Sequence, residues 1–247
     1  CTEKAKIGMS VQGQNAWPSI EHDFFSILDK FSGLMPVGFY YKVFHRPKFL
    51  WNIVQPLIKR IAGLGKLEVN TPPETQYTQC NYSTDVAIVG GGPSGLSAAL
   101  AACKAGAKVT LIDDQDQLGG HLRWETQAIV RSSGFSNTNA LGIAKELSKA
   151  VHDMQRIDVL SNATAFGLYQ DNLLGITTDD KFVKLRAKNV IIATGSQDVP
   201  LVFERNDLPG VMLTDAALKL INLYGLRPGT KAVIATNDDK GYLAALE

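Results

Sequence analysis

This sequence of 247 residues lacks most of the features that identify a chemistry directly. Its three cysteines, Cys1, Cys80 and Cys103, form no C-x-x-C pair, so the sequence predicts neither a metal site nor a redox dithiol and favours a reducing compartment. A net charge of +1 gives no field that would attract nucleic acid or a membrane surface. The sequence shows no apolar run of 18 residues and no signal peptide, so it predicts no membrane span and no secretory targeting.

Motifs that would place a catalytic residue on the chain are also missing. There is no G-x-S-x-G, no H-E-x-x-H and no P-loop lysine, and the four histidines show no spacing typical of a base or a ligand set. We therefore expect no catalytic residue. The chain begins at Cys1 without a methionine and ends at Glu247 within an apolar helical pattern, so we expect a piece of a longer polypeptide.

A βαβ unit is the strongest pattern that is present. Residues 85–89 form a short apolar run typical of a parallel strand buried on both faces, and a glycine-rich turn follows over 90–95. A helix of mostly Ala and Leu extends to Ala105, where Gly106 predicts its end. Residues 109–112 are a second buried strand. Strand, turn, helix and strand within about 30 residues predict a dinucleotide-binding fold.

The spacing Gly90-x-Gly92-x-x-Gly95 gives each glycine a separate role. The first permits a tight turn, the second lets the backbone approach a pyrophosphate, and the third lets the helix pack against the strand. Pro93 and Ser94 complete the helix start, where free N–H groups and the helix dipole favour an anion. We expect all five residues to bind the cofactor.

Two acidic residues and a second glycine pair extend this candidate site. Asp113 ends the second strand, where its carboxylate is placed to accept hydrogen bonds from a ribose, and Asp114 beside it would repel a 2′-phosphate. NAD or FAD is therefore favoured over NADP. Gly119 and Gly120 follow shortly afterwards, and we expect this pair to approach the cofactor.

Downstream elements complete an α/β fold. Residues 190–192 predict another buried strand, and Thr194 and Gly195 after it would reach the carboxyl edge of the sheet, where such folds bind ligands. Between the βαβ unit and this last strand we predict a helix, a further strand and a three-stranded β-meander. They cover residues 140–154, 159–160, and 164–169, 173–177 and 182–186.

The start of a second Rossmann-like unit is predicted near the end of the sequence. Residues 232–235 predict a strand, but the following turn lacks the glycine fingerprint and carries Asp238 and Asp239, which would repel a pyrophosphate. We therefore expect one dinucleotide. The predicted domains are an extended and helical N-terminal segment with its linker, a dinucleotide-binding domain and the truncated start of a second domain, over residues 1–80, 81–200 and 201–247.

The N-terminal segment offers less. Helical spacing predicts helices over 23–31 and 49–61, with Pro56 as a kink or a helix start. An aromatic cluster over 39–44 is either a ligand platform or a packing wedge.

Several of these motifs resemble those of known flavoproteins. Residues 85–95, 109–120 and 193–195 resemble the two-dinucleotide-domain superfamily that includes glutathione and thioredoxin reductases. More discriminating segments look like the alpha chains of heterotetrameric sarcosine oxidases: residues 14–19 (QNAWPS), 38–42 (GFYYK), 61–65 (IAGLG), 206–212 (NDLPGVM) and 235–238 (ATND).

The resemblance implies a bacterial cytoplasmic complex that oxidatively demethylates sarcosine to glycine with O2 and passes the one-carbon unit to tetrahydrofolate. In that family FAD lies in the beta subunit, FMN lies at the alpha–beta interface, gamma and delta subunits complete the heterotetramer, and the glycine-rich domain of the alpha chain is associated with NAD. The family's alpha chain is longer, so a piece would not be expected to turn over sarcosine alone.

Other interpretations remain open at this stage. The chain is alternatively a subunit of a related FAD-dependent amine or amino-acid dehydrogenase, of the opine, proline or hydrogen cyanide synthase type, with FAD at the glycine-rich turn. A third alternative is a non-catalytic scaffold subunit that binds the nucleotide for structural reasons.

Overall fold

The computed structural model describes residues 48–61, 77–125, 139–206, 208–237 and 239–247, together with positions 7, 8, 18, 19, 22–24, 26 and 27. The chain divides into two compact units, Cys1–Pro73 and Glu74–Glu247. Among the described residues, none of the helices has the length and apolar character needed to cross a membrane.

The first unit contains helix α1, which spans Lys48–Ile61. This confirms the helix predicted over 49–61 and places Pro56 inside it, not at its start. Within the other predicted helix, residue 23 forms an isolated bridge with Pro18, and residues 24, 26 and 27 lie in a 3-10 turn. The rest of that prediction, and the aromatic cluster over 39–44, lie outside the described residues.

A six-stranded sheet organises the second unit, in the order β3-β2-β1-β6-β5-β4. Strands β1, β2, β3 and β6 are mutually parallel where they pair, whereas β4, β5 and β6 form an antiparallel meander. The strands are β1 (Thr78–Val89), β2 (Val109–Ile112), β3 (Ile157–Leu160), β4 (Thr164–Tyr169), β5 (Leu173–Thr177) and β6 (Lys181–Ile192).

Four helices accompany the sheet in the described part of this unit. They are α2 (Pro93–Lys104), α3 (Ala140–His152), α4 (Thr214–Asn222) and α5 (Asp239–Ala244), with short 3-10 helices at Gly120–Arg123 and Gln170–Asn172. Gly106 ends α2 with φ +92°, as predicted. The side chain of Asn139 accepts a hydrogen bond from the N–H of Gly142 at 2.6 Å and so begins α3.

The core lies on both faces of the parallel strands because alternate residues point in opposite directions. Ile88 and Leu111 pack with α2 and α3 in one cluster. Their neighbours Ala87 and Ile112 pack with residues of the meander, such as Ile176, in the other. The α/β architecture with a parallel sheet and a meander is thereby confirmed.

Strand β6 differs from the prediction, which separated residues 182–186 from 190–192. One continuous strand pairs with β1 from Thr78 opposite Lys181 to Val89 opposite Ile192. The polar first half of β1 concealed this pairing, because ladder hydrogen bonds join backbone groups whatever the side chains are. The prediction that 190–192 is buried was also wrong, since Ile192 is 60% exposed.

The strand predicted over 232–235 does not form. These residues have no regular secondary structure, and Val233 is fully exposed, although helix α5 follows as expected. A strand requires backbone partners on at least one side, and no neighbouring strand in the described sheet pairs with these residues.

Candidate functional site

The glycine-rich turn lies at the carboxyl end of β1, between the ends of β2 and β6. The N–H of Gly90 donates a 2.8 Å hydrogen bond to the carbonyl oxygen of Ile112, and the N–H of Ala193 donates one of 2.7 Å to that of Val89. Helix α2 begins at Pro93. The turn therefore opens at the edge of the sheet where α/β folds bind ligands.

Packing within the chain explains three of the glycines. Gly90 has φ +108°, and a Cβ atom there would collide with the carbonyl oxygen of Ala193. A Cβ atom on Gly95 would collide with the carbonyl oxygen of Gly90, which confirms its predicted packing role. At Gly91 the added atom would lie 2.5 Å from Cδ2 of Leu118 and 2.8 Å from Oδ2 of Asp113, a crowding that the sequence motif did not reveal.

Gly92 is different, because nothing in the described part of the chain requires a glycine there. Its φ of −73° and ψ of −177° suit any residue, and an added Cβ would lie 3.9 Å from the nearest atom, Cα of Gly120. The space beside it is open. A glycine that the chain itself does not need is what close approach of a ligand would require.

Helix α2 also begins with free donors. No side chain caps its first turn, and Pro93 carries no N–H. Within the described ranges, the N–H groups of Gly92, Ser94 and Gly95 have no acceptor in the protein. Together with the open space at Gly92, these donors and the positive end of the helix dipole fit a diphosphate.

Asp113 lies beside the turn, but its carboxylate is already engaged. Its Oδ2 accepts a 2.5 Å hydrogen bond from the N–H of Gly91, and its Oδ1 accepts one of 2.9 Å from that of Gln115. Burial raises the pKa of Asp113, and the charge of Asp114 adds to that shift, while the two amide donors and Arg123 oppose it. The ribose contact predicted for Asp113 would have to share a carboxylate that also holds the turn.

Asp114 and the second glycine pair lie close by. The exposed Asp114 accepts a 2.9 Å hydrogen bond at Oδ1 from the side-chain amide of Gln115. Gly119, with φ +123°, donates its N–H to the carbonyl oxygen of Gly91 at 2.8 Å. A Cβ atom on Gly120 would lie 2.9 Å from Cα of Gly92. The structure thus brings the pair against the glycine-rich turn.

Thr194 and Gly195 lie at the same edge of the sheet. A Cβ atom on Gly90 would lie 3.0 Å from the backbone nitrogen of Thr194, so the two segments touch here. Gly195 has φ +75° and no atom near its missing Cβ. Both residues lie beyond the end of β6, and Gly195 is exposed.

The second turn, at Thr236–Gly241, has the same length as the first turn at Gly90–Gly95, but its residue types differ. A Cβ atom on Gly241 would collide with the side chain of Thr236, just as one on Gly95 would collide with Gly90. Nζ of Lys240 lies 2.7 Å from Oδ1 of Asp215 and 3.2 Å from Oδ1 of Asp198.

The two carboxylates of this ion cluster change the pKa of Lys240. Burial alone would lower the pKa of Lys240, but its contacts with Asp215 and Asp198 outweigh that effect and raise the pKa. Sequence reasoning missed the cluster because both acidic members lie far before the lysine in the chain. Asp238 lies outside the described residues.

A separate groove of about 570 Å³ lies at the opposite end of the parallel strands. Its charged side chains have partners of opposite charge: Nζ of Lys188 lies 2.8 Å from Oδ1 of Asp85, Arg186 lies 3.7 Å from Asp171, and Lys108 lies 3.5 Å from Asp158, which is not part of the lining. The contact with Lys188 lowers the pKa of Asp85. Because these charges already have partners within the protein, the groove offers a ligand less than the free N–H groups of the glycine-rich turn do.

Comparison with known proteins agrees with this geometry. Residues 84–231 match the family model described as pyridine nucleotide-disulphide oxidoreductase, which is more than half of the chain. The chain belongs to this family. Membership supports a dinucleotide as the class of cofactor. In the described part of this family member, Cys80 and Cys103 are free thiols, and no group of three His, Cys, Asp or Glu residues is arranged to hold a metal.

Individual relatives describe the similarity more narrowly than the family model does. The chain is 34% identical over 255 residues to the alpha chain of sarcosine oxidase from Rhizobium meliloti, covering 97% of this chain and 25% of that protein. It is 33% identical over 202 residues to the corresponding chain from Corynebacterium sp. (strain P-1), covering 74% of this chain and 20% of that one. The chain thus spans about a quarter of the length of these relatives or less.

A solved structure and a further relative extend the comparison. An opine oxidase component from Agrobacterium tumefaciens is 29% identical, over 61% of this chain and 31% of that protein. The solved structure of L-proline dehydrogenase from P. horikoshii superimposes with a TM-score of 0.54 and 31% identity, over 62% of this chain and 31% of that chain.

Proposed function

We propose that this chain is the dinucleotide-binding part of the alpha chain of a sarcosine oxidase complex, and that its glycine-rich turn binds NAD. The observation that carries the proposal is Gly92, which opens onto free space at an uncapped helix start. The similarity to the sarcosine oxidase alpha chain of Rhizobium meliloti over 97% of this chain supports the choice of complex.

The turn would bind the cofactor through its backbone. The diphosphate accepts hydrogen bonds from the N–H groups of Gly92, Ser94 and Gly95, and the helix dipole favours its charge. Thr194 and Gly195 border the same opening from the end of β6. When bound, NAD supplies a nicotinamide ring that can exchange a hydride.

The acidic pair Asp113 and Asp114 is the reason that we propose NAD and not NADP. Both lie after β2, next to the turn, where the adenosine ribose would lie. Two carboxylates there suit ribose hydroxyls and repel a 2′-phosphate, which favours NAD over NADP.

The rest of the reaction would take place outside this chain. We place no catalytic residue here. The complex would oxidatively demethylate sarcosine to glycine with O2 and pass the one-carbon unit to tetrahydrofolate, using FAD in the beta subunit together with FMN at the alpha–beta interface. Gamma and delta subunits would complete a cytoplasmic heterotetramer, without nucleic acid or membrane as a partner.

Only one dinucleotide is proposed for this chain. Residues 201–247 would begin a second nucleotide-binding-like domain that follows the first, at 81–200, and the N-terminal segment at 1–80. Lys240, held by Asp215 and Asp198, lies in the first turn of α5, at the helix start that ends the second turn. A helix start filled by a protein ion cluster has a scaffold role in place of a second pyrophosphate.

A second candidate is a subunit of an FAD-dependent amine or amino-acid dehydrogenase with FAD at the same turn. The structural similarity to L-proline dehydrogenase favours it, because that match covers 62% of this chain at 31% identity. The same backbone donors would hold the diphosphate of either dinucleotide, so the geometry of the turn is common to both candidates.

Identification of the nucleotide released from the purified full-length protein tests these alternatives. Mass spectrometry of the denatured complex is expected to detect NAD in one copy per alpha chain, besides the flavins. FAD as the nucleotide retained by the alpha chain alone would favour the dehydrogenase candidate. Absence of any nucleotide from that chain would contradict binding at the turn and leave a scaffold role.

A further inference from the structure

We propose that Asn222, the last residue of α4, is a positioning residue of the dinucleotide site, and that it acts by holding the 3-10 helix whose first residue, Gly120, lies against Gly92. This inference rests on the proposed function, since it concerns the support of the same site. It gives the segment after residue 200, for which no second dinucleotide is proposed, a part in binding the first one.

Trp124 is held by α4 at two points. The side-chain amide of Asn222 donates a 2.8 Å hydrogen bond to the carbonyl oxygen of Trp124, and Nζ of Lys219 lies 4.2 Å from the centroid of the Trp124 ring. Residues three apart lie on the same face of a helix, so one face of α4 supplies both contacts. A cation over an indole ring is attracted to it. Helix α4 thereby holds both the backbone and the ring of Trp124.

The amide of Asn222 is itself oriented by a second acceptor. Its nitrogen also donates a 2.8 Å hydrogen bond to Oε2 of Glu247, so the two hydrogens of one NH2 group serve two acceptors. Because both partners are acceptors, the nitrogen of this side chain, and not its oxygen, faces Trp124.

Trp124 directly follows the 3-10 helix Gly120–Arg123. Its N–H donates to the carbonyl oxygen of His121 at 3.1 Å, whereas its own carbonyl oxygen lies beyond the helix end and takes its partner from another element. Asn222 is that partner. A 3-10 helix of four residues is only about 8 Å long, so fixing Trp124 restricts where Gly120 lies at the other end.

The position of Gly120 matters because it borders the proposed phosphate space. A Cβ atom added to Gly120 would lie 2.9 Å from Cα of Gly92, so the two backbones touch. Leu122 anchors the middle of the 3-10 helix in the core, and the Asn222 hydrogen bond anchors its end. Without that bond the helix can pivot about Leu122. Nucleotide affinity then falls in proportion to the fraction of molecules that keep the binding arrangement.

Asn222→Leu removes the donor at nearly constant side-chain size. Calorimetry with ADP on the full-length protein, freed of bound nucleotide, is expected to give an affinity about fivefold below that of the wild type. Asn222→Gln keeps the donor and should recover part of the loss. Asn206→Leu is the matched control, because it removes an amide that donates at 3.2 Å to the carbonyl oxygen of Leu201 in the same segment. It should leave the ADP affinity unchanged.

A purely structural role for Asn222 gives a different result. The melting temperature of Asn222→Leu would fall while its ADP affinity stayed at the wild-type value, and this would overturn the proposal. An equal loss of affinity in Asn206→Leu would also overturn it, because any disturbance of the segment would then weaken binding.

Hydrogen exchange provides a test that needs no variant. Coupling between two sites is reciprocal, so ADP should slow amide exchange in α4 of the wild-type protein several-fold. Unchanged exchange in α4 would overturn the proposal even if Asn222→Leu failed to fold.

Failure of the proposed function is distinguishable in the same experiments. If the wild-type protein binds no ADP, the dinucleotide site itself is wrong. If it binds ADP, and neither Asn222→Leu nor exchange in α4 shows the expected change, the site stands and only the positioning role is wrong.

Discussion

The carbonyl oxygen of Gly90 lies directly against Gly95, leaving no space for a side chain on the first turn of α2. Three positions earlier, Gly92 has open space where its side chain would be. The same helix start therefore contains a glycine required by packing and a glycine available to a ligand. The two positions can be separated by mutation.

Gly92→Ala is expected to fold and to lose its nucleotide. The backbone conformation suits alanine, and the nearest atom to the added methyl lies at 3.9 Å, so the free energy of unfolding should change by less than about 1 kcal/mol. A methyl group in the space proposed for the phosphate should lower nucleotide affinity by roughly tenfold or more. Thermal unfolding and quantification of bound nucleotide measure the two effects.

Gly95→Ala is the matched control. Overpacking against the carbonyl oxygen of Gly90 should reduce the free energy of unfolding by about 3 kcal/mol. Nucleotide retention at full strength in Gly92→Ala would show that the turn is not the phosphate site.

Gly119→Ala should be more destabilising than Gly106→Ala. Both glycines have positive φ, +123° and +92°, so alanine introduces backbone strain of roughly 1–2 kcal/mol at either position. Only at Gly119 would the new Cβ also lie 2.8 Å from Cβ of Ala144. Chemical denaturation of the two variants measures the difference, and equal losses would mean that crowding at Gly119 is relieved by movement of α3.

Asp114→Arg is expected to change the preference between NAD and NADP. Wild-type protein carries two carboxylates beside the proposed ribose position, and replacing one of them with a guanidinium would attract a 2′-phosphate. The ratio of the two dissociation constants should shift toward NADP by about tenfold or more. Asp116→Arg, also exposed on this loop, serves as a control for added charge alone; an equal shift there would show a nonspecific effect.

Asp85 and Asp113 should make opposite contributions to the pH dependence of stability. The partner Lys188 lowers the folded-state pKa of Asp85, so its stabilisation is present above the unfolded value near 4 and is lost as pH falls below it. Burial raises the folded-state pKa of Asp113, so its contribution becomes less favourable as pH rises from about 4 through the raised value.

Melting temperatures of the wild type, Asp85→Asn and Asp113→Asn between about pH 3 and 7 measure these slopes. The difference between wild type and Asp85→Asn should grow with pH, and the difference between wild type and Asp113→Asn should shrink. Slopes of the same sign would contradict the opposite shifts.

Local patterns in the sequence were sufficient for the βαβ unit and the meander. The run at 85–89, the glycine spacing and the apolar segment at 109–112 each depend on neighbouring residues, and β2 and α2 formed there, with β1 extending further toward the N-terminus. A buried parallel strand and an uncapped glycine turn leave a signature in the order of residue types alone.

Contacts between distant residues were decided only by the tertiary structure. The continuity of β6 depends on its ladder with a polar strand far earlier in the chain, and the crowding at Gly91 comes partly from a carboxylate 22 residues later. Likewise, Lys240 meets Asp198 and Asp215 only through folding. Sequence order specifies which donors and acceptors exist, but their pairing is set by packing, because hydrogen bonds and ion pairs require proximity in space.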